Sequence, residues 1–365
     1  MPTDSRPLGP PRPMVIGHRG ASGYRPEHSR AAYELAFALG VDAVEPDLVA
    51  SKDGVLVIRH ENEISGTTDV AARPEFAGRR TIKRVDGIAV TGWFTEDFTW
   101  HELSTLRVIE RLPEVRHTSA SFDASQPMLR LRDLLDLIDA QPRPIVLVAE
   151  IKHPTYFASI GLPLDELFAR EIAGWARDDN LIVESFEQSV LWRIRHRGVP
   201  GRLVFLAEAS GSPPDLVAEF EDAALTYQEH LTAAGLAQLA ASGVDGISVD
   251  KQMLMTTDAA GSPIAAGSLV ERAHAVDLTV FCWTLRAENR FLAPGFRRGS
   301  SPSEFGDWRG EFQLLLGTGV DGVFADQPDL ALDALGGPDA LGGPAALGSP
   351  AAPAPSAPQP RIGER

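Results

Sequence analysis

The chain has 365 residues, 44% of them hydrophobic and 23% charged, which is enough for a large core in one or two domains. Its formal charge of −16 argues against nucleic acid or an anionic membrane surface as a partner, so an anionic substrate needs locally placed Arg and Lys or a metal ion. No stretch approaches the ~18 consecutive apolar residues of an integral membrane span, and a lone cysteine, Cys282, rules out an intrachain disulfide.

Residues 1–13 carry five prolines and no apolar segment. They read as a Pro-rich arm rather than a secretory signal, so the expected location is cytoplasmic. Strand-like runs then follow at Met14–Gly17, Ala43–Leu48, Ile145–Ile151, Ile182–Ser185, Leu203–Leu206, Gly246–Val249, Leu278–Trp283 and Gly322–Phe324. Helical patterns separate them. One spans Arg30–Leu39, with Ala32, Leu35, Ala36 and Leu39 on one face, Ser29 as N-cap and Gly40 as stop. Eight strands alternating with helices predict an α/β fold, a (β/α)8 TIM barrel over residues 14–330. An open doubly wound sheet would need a phosphate-binding glycine loop after its first strand, and Gly17-His18-Arg19-Gly20 is not one.

A ninth run, Val55–Arg59, follows the second strand across Ser51-Lys52-Asp53-Gly54. Asp-Gly between apolar runs predicts a hairpin, which folds this segment back and brings His60 beside Glu45 and Asp47. Residues from about 65 to 128 are polar and weakly periodic, and are expected to form an inserted subdomain after the second strand. Residues 335–365 repeat Ala, Gly and Pro and read as a disordered tail.

Barrel active sites lie at the C-terminal ends of the strands, where this chain places His18-Arg19, Glu45 and Asp47, and Glu150 with Lys152. Alternate strand residues share a face, so Glu45 and Asp47 point together, as do Glu150 and Lys152. Three inward carboxylates in a partly dry site call for a hard divalent cation, Mg²⁺ or Ca²⁺. The competing reading is a set of structural ion pairs with Arg19, Arg59 and Lys152, which convergence at one barrel end disfavours. His18 and His60 are the candidate acid and base, and Arg19 and Lys152 the phosphoryl-binding cations. His28 and His153 are expected in supporting or exposed positions. His101, His117, His196, His230 and His274 are expected to be packed or on the surface, and Cys282 to be a buried strand thiol.

Together Gly17-His18-Arg19-Gly20, Pro26-Glu27, Glu45-x-Asp47, Lys52-Asp53-Gly54, His60 and Glu150-x-Lys152 resemble the glycerophosphodiester phosphodiesterases. Ser185-Phe186, Trp283-Thr284-Leu285-Arg286 and Asp326-x-Pro328 continue the likeness, and the segment after Gly66 is similar to the insertion of longer bacterial and plant members. The resemblance implies hydrolysis of a small glycerophosphodiester, such as glycerophosphocholine, to glycerol 3-phosphate and an alcohol. It implies a cation on Glu45, Asp47 and Glu150, acid–base work by His18 and His60, and a glycerol pocket lined by Phe186 and Trp283. It also implies that the neighbouring glycerol hydroxyl attacks phosphorus first, giving a cyclic intermediate that water opens. The sequence departs from the family pattern at His28-Ser29, Pro46, Glu61 and Leu129-Arg130-Leu131. Two other readings remain: a lyase-type phospholipase acting on lysolipids or sphingolipids, and a barrel that binds phosphodiesters without turnover.

Overall fold

The computed structural model describes residues 12–258, 263–265 and 268–336. Of the N-terminal arm only Arg12 and Pro13 fall within this range, and of the expected tail only Leu335 and Gly336. Arg12 is tied down by an ion pair of 2.9 Å to Asp42.

The strands, in chain order, are β1 (Met14–His18), β2 (Ala43–Glu45), β3 (Asp47–Ala50), β4 (Leu56–Ile58), β5 (Thr81–Val85), β6 (Ile88–Gly92), β7 (Val146–Ile151), β8 (Leu181–Ser185), β9 (Arg202–Ala207), β10 (Gly246–Asp250), β11 (Met255–Thr257), β12 (Pro263–Ala265), β13 (Thr279–Leu285) and β14 (Gly322–Ala325). β1 pairs in parallel with both β2 and β14, and β2 pairs with β7, so the sheet closes on itself. It is a (β/α)8 barrel. A long helix follows each stave: α1 (Arg30–Leu39), α2 (Leu131–Asp139), α3 (Leu164–Ile172), α4 (Gln188–His196), α5 (Ala233–Ala241), α6 (Ser268–His274), α7 (Trp308–Leu316) and α8 (Pro328–Ala334).

The second stave is not the single strand that Ala43–Leu48 predicts. Pro46 has no N–H to give the ladder, and the strand divides around it into β2 and β3. The Glu150 amide still donates to the Pro46 carbonyl at 3.0 Å, and Asp47 stands in register with Glu150. β3 and β4 form the antiparallel hairpin expected of the Asp53-Gly54 turn, with Leu48 opposite Ile58. The Arg59 amide donates to the Asp47 carbonyl at 3.0 Å, which carries the chain to His60 at the same barrel end.

Helix α1 begins where Ser29 accepts the Ala32 amide and ends at Gly40, whose φ of 93° suits glycine. Its buried face is Ala32, Tyr33, Ala36 and Phe37, while Leu35 and Leu39 are half-buried. The helix thus buries Tyr33 and Phe37 more deeply than its two leucines, and a ring of that size contributes about 1.5–3 kcal/mol on burial.

Inside the barrel, Met14, Ile16, Ala43, Val148, Ile182, Val204, Phe281 and Phe324 form a separate apolar plug. Side chains alternate along a strand, so the residues two positions further on form the next inward layer: His18, Glu45, Glu150, Glu184, Leu206, Trp283 and Asp326. The plug is the floor, and the polar layer above it opens to the C-terminal face.

Residues 65–128 lie outside the strand–helix alternation. Their Val70, Phe76, Trp93, Phe98, Leu103, Leu106 and Val108 join the main hydrophobic core outside the barrel. The β5–β6 hairpin projects from this region, and Asp86 at its tip meets His153 at 2.5 Å. Among the described residues, no helix is long and apolar enough to cross a membrane.

Candidate active site

A cavity of about 1290 Å³ opens at the C-terminal end of the barrel. His18, Arg19, His60, Glu150, Lys152, Phe186 and Trp283 all line it, while Glu45 and Asp47 are buried behind that lining, within reach of Glu150. The Phe186 and Trp283 rings meet edge to face with centroids 6.0 Å apart.

Each histidine is held by its Nδ1 atom. His18 Nδ1 lies 2.6 Å from Asp326 Oδ1, and His60 Nδ1 lies 2.6 Å from Glu61 Oε1. A carboxylate only accepts, so Nδ1–H donates in both and the Nε2 lone pair is left for chemistry. Burial first, and then Arg19, lowers His18 from 6.5 to about 4, against the pull of Asp326. Burial, Arg19 and Lys152 take His60 down to about 3. Both rings are therefore neutral near pH 7, the form a general base requires.

The two carboxylates are themselves anchored. Asp326 accepts from Arg116 and, at 2.7 Å, from Arg286; Arg116 also reaches Glu288 at 2.8 Å. Arg111 clamps Glu61 and Glu27 together, and Glu27 accepts a further bond of 2.9 Å from Arg19. Glu61 has the reach to hold His60, so its length is no obstacle to orientation.

Glu45, Asp47 and Glu150 each offer an oxygen within 4.8 Å of the others. The protein fixes one oxygen of each acid. Glu45 Oε2 accepts the Arg19 amide at 2.8 Å, His28 Nε2 sits 2.8 Å from Asp47 Oδ2, and Lys152 Nζ donates to Glu150 Oε1 at 2.7 Å. Glu45 Oε1 and Asp47 Oδ1 are buried without a hydrogen-bond partner. Burial and Asp47 hold Glu45 well above the usual carboxylate range, and burial and Asp47 push Glu150 up to about 8 against Lys152. Burial acts on Asp47 in the same sense, but Lys152, His60 and Arg19 outweigh it and hold Asp47 low. Lys152 Nζ stands 3.5 Å from Asp47 Oδ1, but three acids that resist ionising together, with buried oxygens that no hydrogen bond reaches, fit a hard divalent cation.

The supporting histidines also have defined places. His28 is fully buried, with Nδ1 2.8 Å from the Tyr33 hydroxyl, so it supports Asp47 from behind. His153 is half-buried at the cavity rim on Asp86. His230 packs against Phe205, whereas His101, His117, His196 and His274 are exposed. Cys282 is buried in β13.

Sequence reasoning assigned no role to Asp326, Arg286, Arg116, Arg111, Glu27 or Glu184. Asp326 and Glu184 each lie two residues beyond a floor residue, Phe324 and Ile182, and that spacing could have found them. Arg111 and Arg116 lie in the aperiodic insertion, where no spacing points inward.

The sequence profile of the glycerophosphoryl diester phosphodiesterase family matches residues 18–330. The chain belongs to this family. It is 29% identical over 331 residues to the Arabidopsis thaliana glycerophosphodiester phosphodiesterase GDPD6, a match that spans 88% of this chain and 85% of that one. A crystal structure from Silicibacter pomeroyi shares the fold at a TM-score of 0.61 and 21% identity, over 90% of this chain and 95% of the other. A phosphodiesterase from Oleispira antarctica, solved with its product sn-glycerol-3-phosphate, gives 0.58 at 17% identity, over 89% and 97%.

Proposed function

We propose that this member of the family hydrolyses glycerophosphodiesters to glycerol 3-phosphate and an alcohol, with a divalent cation, Mg²⁺ or Ca²⁺, as cofactor. The observation that carries the reading is the pair of Nδ1-anchored histidines in one cavity, beside a cluster of three carboxylates of which Glu150 lines that cavity. Family membership supports it, as does the product bound by the Oleispira relative.

Glu45, Asp47 and Glu150 would hold the cation, which when bound supplies positive charge to the phosphoryl oxygens. Arg19 and Lys152 line the same space and add charge there. One histidine takes the proton of the attacking hydroxyl on its free Nε2. The other gives a proton to the departing alcohol oxygen, the anionic phosphodiester beside it favouring its protonated form, and water then opens the cyclic phosphate to glycerol 3-phosphate as the two histidines exchange roles. Phe186 and Trp283 meet edge to face in the cavity lining and would give the glycerol carbons an apolar wall.

The test is release of glycerol 3-phosphate from glycerophosphocholine with Mg²⁺ or Ca²⁺, abolished by EDTA. No release across several head groups and both cations overturns the reading. A cyclic phosphate as the final product would instead make the protein a lyase.

A further inference from the structure

Glu184 is a buried acid that the catalytic scheme leaves unused. It stands on β8 in parallel register with Glu150 on β7. Both side chains point inward, one step above the floor residues Ile182 and Val148. Glu184 is 2% exposed and lines the cavity. Among the described residues no hydrogen bond or ion pair reaches its side chain, and Oε2 is buried without a partner.

A buried carboxylate normally has a cation beside it, and here the nearby cations are committed elsewhere. Lys152 Nζ is 2.7 Å from Glu150 and 3.5 Å from Asp47. Arg19 faces Glu27 and Asp47. Glu45, Asp47, Glu150 and Glu184 thus have only Lys152 and a share of Arg19 among them, so ionising all four together leaves a net negative charge that a divalent ion would offset. Glu184 is not in the group whose oxygens lie within 4.8 Å of one another, so it does not join the direct ligands, while its register with Glu150 leaves it one strand away, a span that a water can bridge.

On the reading that Glu45, Asp47 and Glu150 hold a cation, we propose that Glu184 is the fourth carboxylate of that centre. It accepts a hydrogen bond from a water on the ion and contributes its charge from the outer sphere. It is a positioning residue, distinct from the three acids that touch the metal. Outer-sphere partners of this kind change metal affinity by roughly 10–100-fold when removed.

The experiment is calorimetric titration of the metal-stripped full chain with CaCl₂, for wild type, Glu184→Gln, Glu184→Asp and Glu150→Gln. Glu184→Gln keeps the shape and removes the charge, and should weaken Ca²⁺ binding roughly 10–100-fold. Glu184→Asp keeps the charge and should retain most of the affinity. Without metal, Glu184→Gln should melt no lower than wild type, because it relieves repulsion among the acids, while its gain in melting temperature with Ca²⁺ should shrink. A merely structural role would lower the metal-free melting temperature and weaken the Asp variant equally, and that result overturns the proposal. So does a dissociation constant for Glu184→Gln within twofold of wild type. If Glu150→Gln loses binding while Glu184→Gln does not, this inference fails and the three-acid site stands. If the wild type binds no Ca²⁺, both fall. Release of glycerol 3-phosphate is measured separately, so an error about the substrate shows there alone.

Discussion

Two neutral histidines share one cavity, and each owes its ring orientation to a carboxylate that arginines hold from behind. His18→Ala and His60→Ala should each reduce turnover by ~10²–10⁴ with an unchanged circular dichroism spectrum, and near-native rates in both would remove the acid–base assignment. The displaced titration of His18 has a consequence for stability too. Its folded value of about 4 lies below the unfolded 6.5, so between these values the unfolded chain binds more protons and stability falls as pH falls. The contribution is fully present above pH 6.5 and amounts to at most about 3 kcal/mol. His18→Asn should therefore lose less stability than wild type between pH 7 and pH 4.5, read from urea midpoints. Parallel losses would mean that His18 is not held neutral by its surroundings.

At the scale of elements, the turn after β1 decides where His18 and Arg19 point. Gly20 there has a φ of +84°, and a Cβ would lie 2.6 Å from the Ala32 carbonyl carbon in α1. Gly20→Ala should cost about 2–4 kcal/mol through strain and overlap and should lower turnover with it. Gly40→Ala is the matching control. Its φ is also positive but nothing stands within 4 Å, so the loss should be nearer 1 kcal/mol. Equal losses in chemical denaturation would show that the close approach to α1 is unimportant.

These elements also show what a single chain of letters reveals. The staves and the β3–β4 hairpin are legible, because a period of two and an Asp-Gly turn are local signals. Glu45, Asp47, Glu150 and His60 are legible for the same reason, since each stands at or just beyond a readable strand. Pro46 signals an irregularity in the second stave because it lacks an N–H, whereas the face that α1 buries depends on the sheet it meets. Arg111 and Arg116 reach Glu27 and Asp326 from an insertion without periodicity. Tertiary placement, rather than propensity, assigns their roles.

For the molecule as a whole, a ligand that binds only the folded barrel adds to its stability. Calcium at 100 times its dissociation constant should contribute about 2.7 kcal/mol, and EDTA should remove it. Differential scanning calorimetry checks this, and a melting temperature indifferent to both would show that no cation binds the native state. The closure of the barrel has a further result, in time rather than in energy. His18 and its partner Asp326 are separated by 308 positions in the chain, and β1 gains its neighbour β14 only when the last stave is made. At roughly 5–20 residues per second, a ribosome takes about 15–60 s to synthesise the stretch between them. From the synthesis of Glu150 onward the nascent chain carries both histidines and all three clustered acids, yet His18 has no anchor until Asp326 is made. A chain ended at residue 320 should accordingly release no glycerol 3-phosphate; if it does, Asp326 is dispensable. On this account activity should begin only when the last stave of the barrel arrives.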